Sequence, residues 1–325
     1  MRNKILMTKS QIPTMYVLRA FIIIIISLFG FLIFDFGFNI AYAQAQGGQD
    51  IAVLKAGVGA RPLGMGGAFT AVADTADAPC WNPGGLGFVD DNEITSMQTK
   101  LSTDADHYYV SYVRPAFGGT LGISWIQVGL GTITETSSEV DEHNEVIDLS
   151  TFSYFSNAYM LSYGKKVSEK LSLGLTAQYL TSDMTSIDGG QASGYSITPG
   201  LLLRTGKGWN IGLKVEGVIN SLQWGTGTVE QAPAKLCLGF AYQKSNPGLF
   251  AIDISQTMKS GYVPEASVGY EWNKDSLSLR LGYVESGLTA GAGFVSGNAR
   301  VDYAYITQRN LTTSNVHRIS LTGIW

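Results

Sequence analysis

Charge is scarce in this chain. Of 325 residues only 15% are Asp, Glu, Lys or Arg, against about 25% in ordinary soluble domains. Histidine is scarcer still: His107, His143 and His317 are scattered along the sequence. There is no G-x-S-x-G elbow, no H-E-x-x-H pair and no cysteine-rich cluster, so a hydrolase nucleophile or a metal centre has no visible residues to draw on. The reading is of a non-enzymatic protein with no cofactor and no metal. The formal charge of −4 offers no basic footprint, which excludes nucleic acid as a partner. Beyond residue 43 no apolar run approaches 18 residues, so helical membrane spans are excluded. The two cysteines, Cys80 and Cys237, lie far apart in sequence. An exported location permits a disulfide between them without implying one.

The apolar content is concentrated at the start. Arg2, Lys4, Lys9 and Arg19 precede "AFIIIIISLFGFLIF" (20–34), and "NIAYAQAQGG" follows with an Ala-x-Ala site at Ala41 and Ala43. A basic stretch, an apolar stretch of about 15 residues and a small-residue site predict an export signal over 1–43. The run is short of the ~20 residues of a membrane anchor, and Asp35 closes it. Removing it takes away four basic residues and Asp35, which leaves a formal charge of −7.

What recurs afterwards is alternation. "KLSLGLTAQYL" (170–180) places Leu171, Leu173, Leu175, Ala177 and Tyr179 on one face, with Ser172, Gly174, Thr176 and Gln178 opposite. "WNIGLKVEGVI" (209–219) repeats the pattern. A period of two means strands with one apolar face. Many segments run for 10 to 14 residues, longer than the ~5–6 usual in soluble sheets and sufficient for a tilted span of ~9–11. About 14 strands are expected between residues 93 and 325, with tight connections alternating with longer ones. That rhythm predicts an all-β transmembrane antiparallel barrel, apolar outside and polar within. With this parity both termini are expected in the periplasm, and the barrel in the outer membrane of a bacterial cell. The last strand, "VHRISLTGIW" (316–325), is amphipathic and ends on Trp325. A terminal aromatic resembles the signal by which outer-membrane barrels are recognised, so the barrel-assembly machinery is an expected partner during insertion, along with outer-membrane lipid. Gly323 interrupts the pattern, since an apolar residue is usual there.

Residues 44–92 precede this barrel, and a barrel of 14 strands is wide enough to leave a lumen. A compact segment folded inside it is the expected N-terminal hatch or plug. Gly64, Gly66 and Gly67 permit tight turns against the inner wall. "AFTAVADTA" (68–76) is expected to form a short helix, and Pro79 with Asn82-Pro83-Gly84-Gly85 a turn. Here a resemblance becomes specific. "GARPLGMGGAFTAVADTADAPCWNPGGLGF" resembles the N-terminal signature of the FadL-like outer-membrane family, most closely its PorV/PorQ-type branch. The matching positions include Arg61, Gly64, Gly66, Gly67, Asp74, Trp81, Asn82 and Pro83; Thr75, Cys80 and Gly84 depart from the pattern.

The resemblance implies a 14-stranded barrel with a hatch at about 44–92. Two functions follow from it: passage of small hydrophobic compounds, or a PorV-like scaffold for protein secretion or surface attachment, with secretion-system proteins as partners. It also implies a side opening at an irregular third strand. Gly129 and Gly131 in "QVGLGTI" either kink that strand or mark its ordinary end near the rim. Among the luminal charges, Lys214, Lys235, Arg280, Arg300 and Arg318 either meet a ligand carboxylate or form an internal network with Glu216, Asp253, Glu265, Glu271 and Asp302. Arg61 and Asp74 are expected to latch the hatch, since buried charges need partners. The acidic stretch "ETSSEVDEHNEVID" (135–148) lacks calcium-loop spacing and reads as a solvated outer loop.

Overall fold

The computed structural model describes residues 52–101, 105–185, 187–244, 247–285, 287–307 and 315–325. The export signal expected over 1–43 lies outside the described residues, as do residues 44–51.

Fourteen strands close into a ring. They are β1 (Glu93–Lys100), β2 (Asp106–Ala116), β3 (Gly119–Val140), β4 (Val146–Lys166), β5 (Leu171–Met184) and β6 (Gln191–Arg204). β7 runs in two pieces, Trp209–Glu216 and Ile219–Trp224, and β8 likewise, Val229–Glu230 and Lys235–Tyr242. β9 (Gly248–Thr257), β10 (Glu265–Lys274), β11 (Leu277–Val284), β12 (Gly287–Ser296), β13 (Ala299–Ile306) and β14 (Val316–Ile324) complete the wall. Each strand pairs antiparallel with its neighbours in sequence, and β1 pairs with β14 from Glu93–Ile324 to Gln98–Ile319. Closure removes both sheet edges, as a wall surrounded by hydrocarbon requires. Trp325 continues the junction: its N–H and C=O both bond Asn92 at 3.0 Å, and its ring stacks on Tyr112.

The burial pattern is inverted relative to a soluble sheet. Arg280 is 3% exposed while its neighbour Leu281 is 65% exposed. Glu271, Asp302 and Arg318 are buried, whereas Leu175, Leu279, Leu288, Phe294 and Leu321 face outward. The polar face encloses the interior and the apolar face surrounds it, so this is a transmembrane barrel. At one rim the turns are tight. Phe117 and Gly118 join β2 to β3 at φ 54° and 72°, a left-handed pair that matches strand twist.

Two segments differ from their expected form. Residues 135–148 are not a loop: β3 and β4 extend through them as a ribbon beyond the last β2–β3 pair at Asp106–Gly129. Thr, Val and Ile along both strands favour extended backbone. The ribbon turns where Asp141 accepts the backbone N–H groups of His143 and Glu145. The second difference is β7, which carries two extra residues opposite β6 between Lys214–Gly200 and Ile219–Ile197. Gly217, at φ 61°, makes that break.

Introducing Arg at Leu281 places a charge on the outward face at mid-strand. The Leu281→Arg variant is expected to lose roughly 2–4 kcal/mol of stability in bilayers, measured by denaturant unfolding from lipid vesicles. Unchanged stability would mean that this face does not meet hydrocarbon.

Candidate luminal site

Residues 52–92 pack against the inward face of the wall as short pieces. These are α1 (Ala52–Lys55), α2 (Ala60–Gly64), α3 (Ala78–Trp81) and a 3-10 turn over Pro83–Phe88. The helix expected over 68–76 does not form. Its backbone groups are taken by the wall instead: Phe69 and Thr70 donate their N–H groups to the Asp253 carboxylate at 3.0 and 2.9 Å. Ala76 donates to Glu93, and Tyr109 donates its hydroxyl to the Ala76 carbonyl. A helix would have to give up these bonds, and inward-facing acceptors offer it no equivalent.

Asn82 shows why the sequence places Asn before Pro-Gly-Gly. Its Nδ2 donates to the carbonyls of Thr70 (2.7 Å) and Leu201 (2.9 Å), while Oδ1 accepts from Gly84 N–H at 3.0 Å. One buried carboxamide therefore joins two parts of the segment to β6. The glycines allow contact with wall backbone. A Cβ at Gly66, which has φ 67°, would lie 2.8 Å from both N and O of Tyr283, and one at Gly84 2.7 Å from the Leu201 backbone. The wall answers with its own glycines, Gly269 and Gly282 receiving Met65. Trp81 donates its indole N–H to the Val58 carbonyl at 2.9 Å and meets Phe69 edge to face.

Charges complete the seat. Arg61 grips Glu271 through Nε (2.8 Å) and Nη2 (3.0 Å), and Asp74 through Nη1 (2.6 Å). Glu271 also accepts from Arg280 Nε at 2.6 Å, Arg280 Nη1 reaches Asp302 at 2.7 Å, and Arg300 Nε reaches the other oxygen of Asp302 at 2.9 Å. Signs alternate from the inner segment across β10, β11 and β13. Burial alone disfavours the Arg61 charge, but Asp74 and Glu271 outweigh it and hold its pKa well above the ordinary value. Asp77 lacks such a partner. Its Oδ1 is buried without a hydrogen bond, and burial raises its pKa to about 6 against the opposing pull of Arg300. Burial also raises the Cys80 thiol to about 12, so it stays protonated. Cys80 and Cys237 are both free.

The remaining expected cations divide. Lys214 Nζ sits 2.9 Å from Glu216 and 3.2 Å from the Cys80 carbonyl, and Lys235 is 2.7 Å from Glu265. Arg318 has no carboxylate partner among the described residues; it donates to the Gly57 carbonyl at 2.8 Å and lies 3.2 Å from His107 Nδ1. Four of the five are thus inside ion pairs. Gly129 forms the last β2–β3 pair with Asp106 and stays in the β3–β4 ladder with Phe155, while Gly131 falls in the β3 bulge between Leu130 and Ile133, where the ribbon leaves the wall. Between the inner segment and the wall a cavity of about 670 Å³ remains, bordered by Leu54, Val58, Leu63, Trp81, Ile126 and Met160, with Lys214 and Arg318 among its polar lining. Asp253 and Glu93 as backbone acceptors were invisible in the sequence, because alternation marks an inward acid without saying which main-chain groups it meets.

No family model matches this chain, and no curated protein matches it by sequence. Solved structures match its fold. The toluene transporter TodX of Pseudomonas putida superimposes with a TM-score of 0.57 at 15% identity, covering 82% of this chain and 96% of that one. The Ralstonia pickettii toluene transporter TbuX gives 0.58 at 15%, covering 82% and 98%. A FadL homologue of Pseudomonas aeruginosa gives 0.55 at 11%, covering 82% and 98%. The chain therefore has a FadL-like barrel fold.

Arg61→Gln leaves Asp74 unpaired and removes one of the two guanidinium partners of Glu271. It is expected to loosen residues 60–76 by about 3–5 kcal/mol, the usual cost of breaking a buried pair, seen as lost hydrogen-exchange protection there while β1 to β14 stay protected. Equal protection in both proteins would refute the latch. Asp77 binds a proton more tightly folded than unfolded, so its contribution is favourable below pH 3.8 and is lost as pH rises to about 6. Asp77→Asn is expected to gain protection relative to the parent over that window, with little difference at pH 3.

Proposed function

We propose that the chain is an outer-membrane barrel through which small hydrophobic compounds pass, with residues 44–92 as its luminal hatch and both termini in the periplasm. The observation that carries this reading is the cavity of about 670 Å³ between inner segment and wall. It is a concave site with an apolar side at Leu54, Val58, Trp81, Ile126 and Met160 and a polar side that includes Lys214, Glu216, Asp253 and Arg318, so it joins apolar contact area to groups that can orient a small molecule. Its support from likeness is the transport role printed for TodX and TbuX. The route in this reading is capture at the open rim, residence beside Leu54, Val58 and Trp81, and release past the hatch.

The hatch in this reading does not leave as a body. Its attachments include a bidentate Arg61–Glu271 pair, the Asp253 acceptor and the Asn82 bridge. Local shifts near α1 and α2 cost far fewer bonds than ejection. The PorV/PorQ-type resemblance, with its secretion-scaffold role, rests on the motif alone, and no feature of the site favours it.

The test is uptake of radiolabelled toluene by cells whose outer membrane carries the chain, compared with the same cells lacking it. Faster uptake with the chain is expected, reduced by Trp81→Arg, which puts a charge into the cavity. Equal uptake in both cell lines would sink the proposal. Native mass spectrometry of the gently extracted barrel is expected to give a bound mass of lipid size; a stable protein partner with no small ligand would favour the scaffold.

A further inference from the structure

The β7–β8 wall is joined differently from its neighbours. The lower ladder ends at Glu216–Lys235 and the upper one resumes at Leu222–Glu230. Between them lie residues 217–221 on β7 and 231–234 on β8, with no backbone pair in the ladder. At about 3.3 Å per residue the interruption is roughly 16 Å tall. Pro233 lies within it and has no N–H to offer.

One side chain spans this gap. Asn220 Nδ2 donates to the carbonyls of Gly217 and Ala232 at 2.8 Å each, and Oδ1 accepts from Ala232 N–H at 2.8 Å. The two bonds to Ala232 cross the seam. An unbroken ladder of this height would hold about five. On the inside, Gly217, Asn220, Ala232 and Pro233 all line the luminal cavity. On the outside, Val218 and Ile219 are 49% and 54% exposed, an apolar surface suited to lipid. Among the described residues, the Asn220 carboxamide makes the hydrogen bonds that cross this seam between the cavity and the outward face. At β3 the pairing with β2 runs unbroken from Ala116–Gly119 to Asp106–Gly129, and the irregularities with β4 lie beyond Leu130, in the ribbon above that last β2–β3 pair.

We propose that the β7–β8 seam is a side port for apolar compounds held in the cavity, with Asn220 as its latch. This rests on the reading that the chain passes hydrophobic compounds. Rotation of the Asn220 side chain releases both cross-seam bonds at once. Gly217, with no side chain, leaves room for that rotation next to the cavity.

The experiment staples the seam. Cys80 and Cys237 are replaced by Ser, and Asn220→Cys with Ala232→Cys is introduced. The probe is N-phenyl-1-naphthylamine, and the readout is its rate of entry into outer-membrane vesicles carrying the full barrel. Oxidation, verified by loss of free thiol, is expected to abolish barrel-dependent entry, and reductant to restore it. A matched staple at Leu281 and Ala290, partners in the unbroken β11–β12 ladder, is expected to have no effect. Asn220→Ala, checked for folding by heat-modifiable gel mobility, is expected to speed entry roughly tenfold, as loss of one or two hydrogen bonds from the closed state predicts. Barrel-dependent entry that is the same with the seam stapled or reduced overturns the port and leaves the transport reading standing. Absence of barrel-dependent entry in the Ser-substituted and unmodified chains alike overturns both.

Discussion

Closing fourteen strands into a ring leaves an interior wider than the wall's own side chains can fill, and most of what is unusual in this chain answers that constraint. The interior holds a polypeptide, residues 52–92, whose backbone must find hydrogen-bond partners away from bulk water. The wall supplies them: Asp253 and Glu93 accept its N–H groups, while Tyr109, Thr176 and Thr289 donate to its carbonyls. This is why the segment is mostly irregular. Its conformation is dictated by the positions of partners on surrounding strands more than by its own helix propensity.

The ion chain from Asp74 through Arg61, Glu271, Arg280 and Asp302 to Arg300 follows from the same geometry. Inward-facing charges lose their water when the segment enters, and alternating signs restore what was lost. Such networks contribute little net stability once desolvation is counted. Their value lies in position: a planar guanidinium held in bidentate fashion by Glu271 and capped by Asp74 fits in one orientation. Asp77, lacking such a partner, bears the cost of burial instead, and its raised pKa records it.

Period-two alternation was enough to read the barrel, because every strand has one face toward lipid and one toward the lumen. Strand positions followed directly, as in the alternating segment 170–180 against the observed Leu171–Met184. The inner segment was legible as a different kind of chain through its Gly-Met-Gly-Gly and Asn-Pro-Gly-Gly turns. Its path was not legible, since the backbone of 68–76 is claimed by wall residues distant in sequence, Asp253 among them, 183 residues from Thr70. The ribbon was missed because acidic side chains suggest a loop, while Thr, Val and Ile beside them hold the backbone extended. The break in β7 was hidden by its size: two extra residues leave Ile219 on the face that alternation assigns it.

The glycine-to-backbone seat divides the interior into two territories with different tolerance for change. Where Gly66 meets Tyr283 or Gly84 meets Leu201, even one added methyl group displaces main chain. Around the cavity, Leu54, Ile126 and Met160 border open space and admit other sizes and shapes. Substitutions among the cavity residues can therefore reshape that space, while the motif that seats the segment stays fixed. The stretch most easily recognised in the sequence is, for that reason, the one that says least about what the cavity admits.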